Sequence, residues 1–399
     1  MALKNGYGNV IKIRAYIDFV QYAKAVNYVE EIYNNSLDGD VGAGGNLFNP
    51  WDFNFSKVNT YTCNNDAAGW DASQNHLGFN IIFKDYPAGE YSNRLFAHFL
   101  QGINYYGLFG HELGIKSKFS HLDLEAYGKD SNGQQIFTQI PTADNVGIVG
   151  SRTSPGLGYT ILGFDGFNQT DRHYFEALKV YLQSVSSTPW TPGDTINLGC
   201  ISIGRYMDFP ASTDLDVKLS YGYEGVKSTS TRDGSTITNI NYYKRPDWGN
   251  FPSWFHLDKA DLPDGVTNDW WKEFNIKQVG QNGRRVFNLK WSFLDKTDVF
   301  SKWSEHSQAA NYQETNNWSL DALYDGTNHK ETIVATLLNF TLGGQIPFIM
   351  QMDVGSGGEA DPTNAQQSFA LVKIDQKSVS IKQVAPGTYN VSLKLTEVW

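Results

Sequence analysis

Residues 284–294 read RRVFNLKWSFL, with Phe287, Leu289, Trp291 and Phe293 at every second position and Asn288, Lys290 and Ser292 between them. Successive side chains of a strand point to opposite faces, so this run predicts a strand with Phe287, Leu289, Trp291 and Phe293 together on a buried face. The period returns at 215–223, LDVKLSYGY, where Leu215, Val217, Leu219, Tyr221 and Tyr223 alternate with Asp216, Lys218 and Ser220. The ending reads as three strands, Phe369 to Ile374, Val379 to Val384 and Tyr389 to Val398, with APGT as the last turn and a clean alternation in the last strand. STSTRDGSTI reads as a hairpin turning at Asp233-Gly234. Alternation of this kind suits an antiparallel sheet with one face in water. One segment has a different period. In NHKETIVATLLNFTLGG, Asn328 and Glu331 have capping-box spacing, Ile333, Val334, Leu337, Leu338 and Thr341 form a stripe, and Gly343 can end the helix. A lone amphipathic helix must lay its stripe on something, and a sheet face is the available surface.

The first half is a series of shorter β-like segments. Val10 to Phe19 reads as an opening strand or hairpin, and GFNIIFKDY, INYYGLFGHEL, SHLDLEAYG, GYTILGFDGF and ALKVYLQSV follow, separated by Gly, Asn, Asp or Pro clusters. Such spacing predicts a β-sandwich. YSNRLFAHFLQGI reads as a short helix or a strand. Pro189, Pro192 and Gly193 mark a boundary. The expected organisation is mainly β: opening strands at 1–30, a jelly-roll-like sandwich at 31–200, and an antiparallel domain with one packed α-helix at 201–399. Residues 243–283 and 353–368 read as long loops.

Composition narrows the function. A chain of 399 residues suggests two domains. Aromatic residues at 14% with charged residues at only 19% favour β-structure and large interfaces. The net charge is −10 with no basic block, which argues against a reader of nucleic-acid sequence. No apolar run approaches the roughly 18 residues of a membrane span. The opening residues hold no stretch of signal-peptide length, so synthesis in the cytoplasm without export is expected. Cys63 and Cys200 lack metal spacing and read as two isolated buried thiols, with a disulfide left open.

Catalytic constellations are weak. In GHEL, His111 and Glu112 would need a second histidine where Ile115 stands. Asp208, Asp214 and Asp216 offer a glycosidase carboxylate pair, but the polar face and flanks of a strand explain them more simply. DAAGWDASQN and RPDWGNFPSWFHL combine Trp with Asp and Asn, as sugar-binding surfaces do, and the second reads better as an interface through Trp248, Phe251 and Trp254. No catalytic residue, cofactor site or metal site is assigned. A carbohydrate-binding module, and behind it a glycoside hydrolase, are the alternatives to an assembly protein.

The ordered segments GRYMDFPASTDLDVKLSYGYEGVKS, GRRVFNLKWSFL, GGQIPFIMQMD and FALVKIDQKSVSIKQVAPGTYNVSLKLTEVW resemble the distal-tail and minor-tail proteins of tailed bacteriophages, from about residue 201 onward. More loosely, INYYGLFGHELG and SHLDLEAYG resemble galactose-binding-like sandwich modules. The resemblance implies a virion protein without enzymatic activity. It implies a homo-oligomeric ring, commonly hexameric, in contact with tail-tube and tail-tip neighbours and open to host glycans. Familiar members place the ring domain first, whereas here the ring-like half comes last. The resemblance also suggests that a neighbouring copy covers the edge of the closing strand, with Tyr389 and Trp399 at the interface. The competing reading makes that strand internal to its own sheet.

Overall fold

The computed structural model describes residues 13–35, 50–53, 59–62, 76–83, 105–111, 119–129, 135–140, 158–163, 174–184, 194–222, 226–240, 284–300, 332–352, 369–375 and 377–398. The chain is mostly strand, with a large antiparallel sheet. The strands run in order as β1 (Arg14–Asp18), β2 (Val29–Asn35), β3 (Asn59–Thr62), β4 (His76–Phe83), β5 (Tyr105–His111), β6 (Phe119–Lys129), β7 (Gln135–Ile140), β8 (Gly158–Gly163), β9 (Tyr174–Ser184) and β10 (Thr195–Leu198). They continue as β11 (Cys200–Asp208), β12 (Lys218–Gly222), β13 (Val226–Ser230), β14 (Thr236–Ile240), β15 (Arg284–Asp295), β16 (Phe348–Gln351), β17 (Phe369–Ile374), β18 (Ser380–Ala385) and β19 (Thr388–Glu397). The chain divides into two compact units, each discontinuous in sequence. One holds residues 16–207 and 297–342, and the other holds 1–15, 208–296 and 343–399.

In the unit built on 16–207, β2, β4, β9, β6 and β7 form an antiparallel sheet in that order. Phe79 and Ile81 of β4 stand opposite Val180 and Leu178 of β9, and all four are buried. Their period of two is what places them on one apolar face. A second antiparallel run pairs β11 with β5 and β5 with β8. At Gly204 a Cβ would lie 1.9 Å from the Ile17 carbonyl oxygen, so the backbone passes where no side chain fits.

This unit also holds a helix that period-two reading overlooks. Within the expected opening strand, Asp18 ends β1 and caps a helix, α1 (Phe19–Ala25). Its Oδ1 accepts from the N–H groups of Val20 and Gln21 at 2.7 and 3.0 Å, satisfying two of the donors that every helix start leaves open. Phe19 and Tyr22 of α1 meet the ring of Phe340 at 5.0 and 5.2 Å. Phe340 belongs to the segment expected as the single α-helix. Its core, Ile333–Leu338, is instead a π-helix. The run Thr332, Ile333, Val334 and Thr336 is β-branched, which crowds a tight helical turn. Ile333, Leu337 and Thr341, spaced by four, are all buried. Leu342 and Gly343 then turn left-handed and end it. Asn328 and Glu331 lie outside the described residues.

In the other unit, β12 pairs with β15 and β15 with β19. The far edge of β19 is shared end to end. β17 takes Leu395 to Glu397, β18 takes Thr388 to Ser392, and β16 lies beyond β17. Every pairing is antiparallel. The closing strand therefore has partners from its own chain on both edges, and the expectation that a neighbouring copy completes it is overturned. β18, which ends at Ala385 just before β19 begins at Thr388, closes the shortest loop of these pairings.

The core of this sheet follows the alternation: Phe287, Leu289 and Trp291 face Leu395, Leu393 and Val391, all buried. Trp291 stacks on Phe209 at 4.5 Å and donates its indole N–H to the Ala211 carbonyl at 3.1 Å. Phe293 departs from the expectation. The register shifts between Trp291 and Leu294, so Leu294 enters the core and Phe293 is 77% exposed. One extra residue in a strand reverses the face of everything after it. Leu215, expected as the first inward residue of the strand now seen as β12, precedes that strand and is 84% exposed.

Candidate assembly surface

In the sheet of the C-terminal unit, β16 and β17 are buried on both faces, whereas β12, β15, β18 and β19 turn one face outward. On the outward face the strands present Lys218 of β12, Lys290 of β15, Ser392 and Lys394 of β19, and Ser380 and Lys382 of β18, all exposed. Carboxylates reach this face from adjoining segments. Asp375 accepts from Lys394 Nζ at 2.6 Å and from Thr396 Oγ1 at 3.0 Å, which hold its carboxyl below the usual range. Asp214 lies 3.4 Å from Lys290 Nζ.

One end of this face is built around the bulge. Phe293 has φ 61°, a left-handed conformation that glycine adopts without penalty and a side chain resists. Two side chains hold the strand there. Asp214 accepts from the Ser292 N–H at 3.1 Å and from the Ser292 hydroxyl at 2.6 Å, and Asn390 Oδ1 accepts from the Phe293 N–H at 3.0 Å. Leu215, which follows Asp214 directly, is also exposed.

The hairpin of β13 and β14 leaves the sheet after β12. Its strands pair only with each other among the described residues. The chain turns here as expected but one residue earlier: the Gly234 N–H donates to the Thr231 carbonyl at 3.0 Å, so Arg232 and Asp233 are the central pair and Gly234, with φ 84°, follows them. Residues 228–230 and 232–237 are exposed, including Ile237 at 61%.

The residues singled out as catalytic candidates have other occupations. Asp208 accepts from Arg14 Nε and Nη2 at 2.5 and 2.9 Å. Asp214 holds the bulge, and Asp216 is exposed beside β12. His111 is buried in β5, and removal from water pushes its pKa down to about 4, which keeps the imidazole neutral at ordinary pH. Cys200 is a buried free thiol, and burial pushes its pKa well up, which makes it unreactive. Among the described residues no three His, Cys, Asp or Glu side chains come together as a metal site. No described helix is long and apolar enough to cross a membrane. Of the residues expected at an interface, Tyr389 lies half-buried in β19 opposite Leu294 and Gln383. Trp248, Phe251, Trp254 and Trp399 lie outside the described residues, as do Cys63 and the DAAGWDASQN stretch.

Sequence reasoning missed Phe293 and Leu215 as surface residues because both obey the alternation locally. The available signal was Asp214, a turn-former set just before an apolar residue at the edge of the period. No family model, no curated protein and no solved structure matches this chain.

Proposed function

We propose that this chain is a structural component of a bacteriophage tail, of the distal-tail or tail-tip kind, which works as one copy in a homo-oligomeric ring and carries out no catalysis. Its place of action is the virion, with tail-tube and tail-tip proteins as neighbours. The resemblance of residues 201–399 motivates the reading, and the hairpin of β13 and β14 carries it. An isolated two-stranded hairpin is marginal in water and needs a further strand or a packed face for stability. Here the hairpin pairs with no other described strand, and Ile237 sits in solvent. Its exposed strands and Ile237 are surface onto which an assembled neighbour adds.

The test is light scattering on the purified full-length chain at micromolar concentration, with negative-stain images of the same sample. A closed ring of several copies is the expected result. A monomer at every concentration sinks the proposal.

A further inference from the structure

We propose that Asp233 and Gly234, at the tip of the hairpin of β13 and β14, form a latent site of covalent modification, aspartate isomerisation through a cyclic succinimide, and that Thr231 is the residue that restrains it. The reaction needs only the chain and water. The Gly234 nitrogen attacks Asp233 Cγ, and the hydroxyl of the protonated carboxyl leaves with the N–H proton as water. A second water then opens the five-membered imide. Opening at Cγ restores aspartate, and opening at the α carbonyl leaves an isoaspartyl linkage in which the main chain runs through Cβ and Cγ. Net composition is unchanged. Glycine is the residue whose nitrogen no Cβ shields. Asp233 and Gly234 are both exposed, so water reaches the pair.

Thr231 holds both reacting groups. Its carbonyl accepts the Gly234 N–H at 3.0 Å, which occupies the nucleophile. Its hydroxyl donates to Asp233 Oδ1, which draws the carboxyl toward Thr231. The same hydroxyl lies 2.9 Å from the Ser235 carbonyl, so its single proton serves two acceptors. The Thr231 hydroxyl first, and the Asp233 N–H after it, hold the Asp233 carboxyl below the usual range. An ionised carboxyl has no hydroxyl to lose. The Thr231 N–H closes the loop on the Ser235 carbonyl at 2.7 Å. Intramolecular attack requires both groups free to align, and here each is tied to Thr231. Isomerisation lengthens the main chain by one carbon inside a tight turn, so it resets the loop that pairs Ser230 with Thr236. The modification acts on the hairpin used in the assembly reading, but its chemistry stands apart from that reading.

The experiment incubates the full-length chain for weeks at physiological temperature and near-neutral pH. Peptide mapping then separates isoaspartyl from aspartyl peptides of equal mass, and electron-transfer fragmentation places the linkage. Native wild type is expected to convert at Asp233 at least about tenfold more slowly than the same chain unfolded in guanidinium chloride. Thr231→Val keeps the carbonyl and the β-branched shape and removes the hydroxyl. It is expected to leave the melt unchanged and to speed conversion at Asp233 by at least about fivefold. Thr231→Ser restores the hydroxyl and is expected to convert at the wild-type rate. The other Asp-Gly pairs, at Asp38, Asp165, Asp264 and Asp325, are internal controls whose rates are expected to be the same in all three proteins. Equal rates in native and unfolded wild type overturn the restraint, and this comparison stands if the valine variant fails to fold. A valine variant as slow as the wild type, or a serine variant as fast as the valine one, overturns the role of the hydroxyl.

Discussion

Glu397 and Arg285 show how much a single pair of residues can control. Both are buried, with a 2.8 Å contact between Arg285 Nη2 and Glu397 Oε1. Arg285 also donates its Nε to Glu397 Oε2 at 3.1 Å and an Nη2 hydrogen to the Phe369 carbonyl at 2.5 Å, tying β15, β19 and β17 together. Removing one member of a buried pair leaves an uncompensated charge. Glu397→Gln is therefore expected to cost about 3–5 kcal/mol in urea unfolding, and replacing both residues by apolar ones of similar volume much less. In the other unit, Asp18 and His111 pull stability in opposite directions with pH. Burial raises the Asp18 carboxyl to about 6, against the pull of the Gln21 N–H, the Ser202 hydroxyl and the Val20 N–H. Its folded pKa exceeds the unfolded one, so its contribution improves as pH falls from above 6 toward 4. His111, lowered to about 4, loses its contribution as pH falls from 6.5 toward 4. Each change is about 3 kcal/mol, so the two nearly cancel. Asp18→Asn keeps a capping side chain and removes one of the two slopes. The variant is expected to exceed the wild type in stability at pH 7 and to lose that advantage by pH 4, measured as unfolding free energy across the range.

At the scale of elements, close approach and bulge geometry decide more than propensity. Gly204 lets β11 pass the Ile17 carbonyl. Gly204→Ala must push backbone aside, and a loss of about 3 kcal/mol is expected by denaturant unfolding. Gly387 differs. Its φ is 71° with open space around it, so Gly387→Ala costs only the backbone strain, about 1 kcal/mol, in the same measurement. The π-helical segment illustrates the same priority. Its stripe residues Ile333, Leu337 and Thr341 are buried as their spacing requires, while the turn between them is wider than the α-helix expected.

For the whole molecule, the proposed function places its contacts in one unit. Exposed Phe293 and Leu215, the outward face with its lysines and carboxylates, and the two-stranded hairpin all belong to the unit that contains residues 208–296 and 343–399. If that unit is the assembling one, exchanging Ile237 for Asp in the hairpin is expected to lower the assembled fraction in light scattering without changing the melt of the dilute subunit. Equal assembly in both proteins would show that the hairpin serves some other purpose.

Period-two alternation by itself determined where β15 and β19 lie and which of their residues enter the core, whereas β16 and β17, buried on both faces, read as continuous apolar runs. This follows because the face of a side chain depends on its near neighbours in the chain, and Phe287, Leu289 and Trp291 are as buried as their spacing requires. Only the tertiary structure decided that Phe293 leaves that face, since a bulge exists only relative to the residue opposite, here Asn390. It likewise decided that β19 is enclosed by β15, β17 and β18. Which edges are covered is set by contacts between residues far apart in sequence, and no local pattern of hydrophobicity records them.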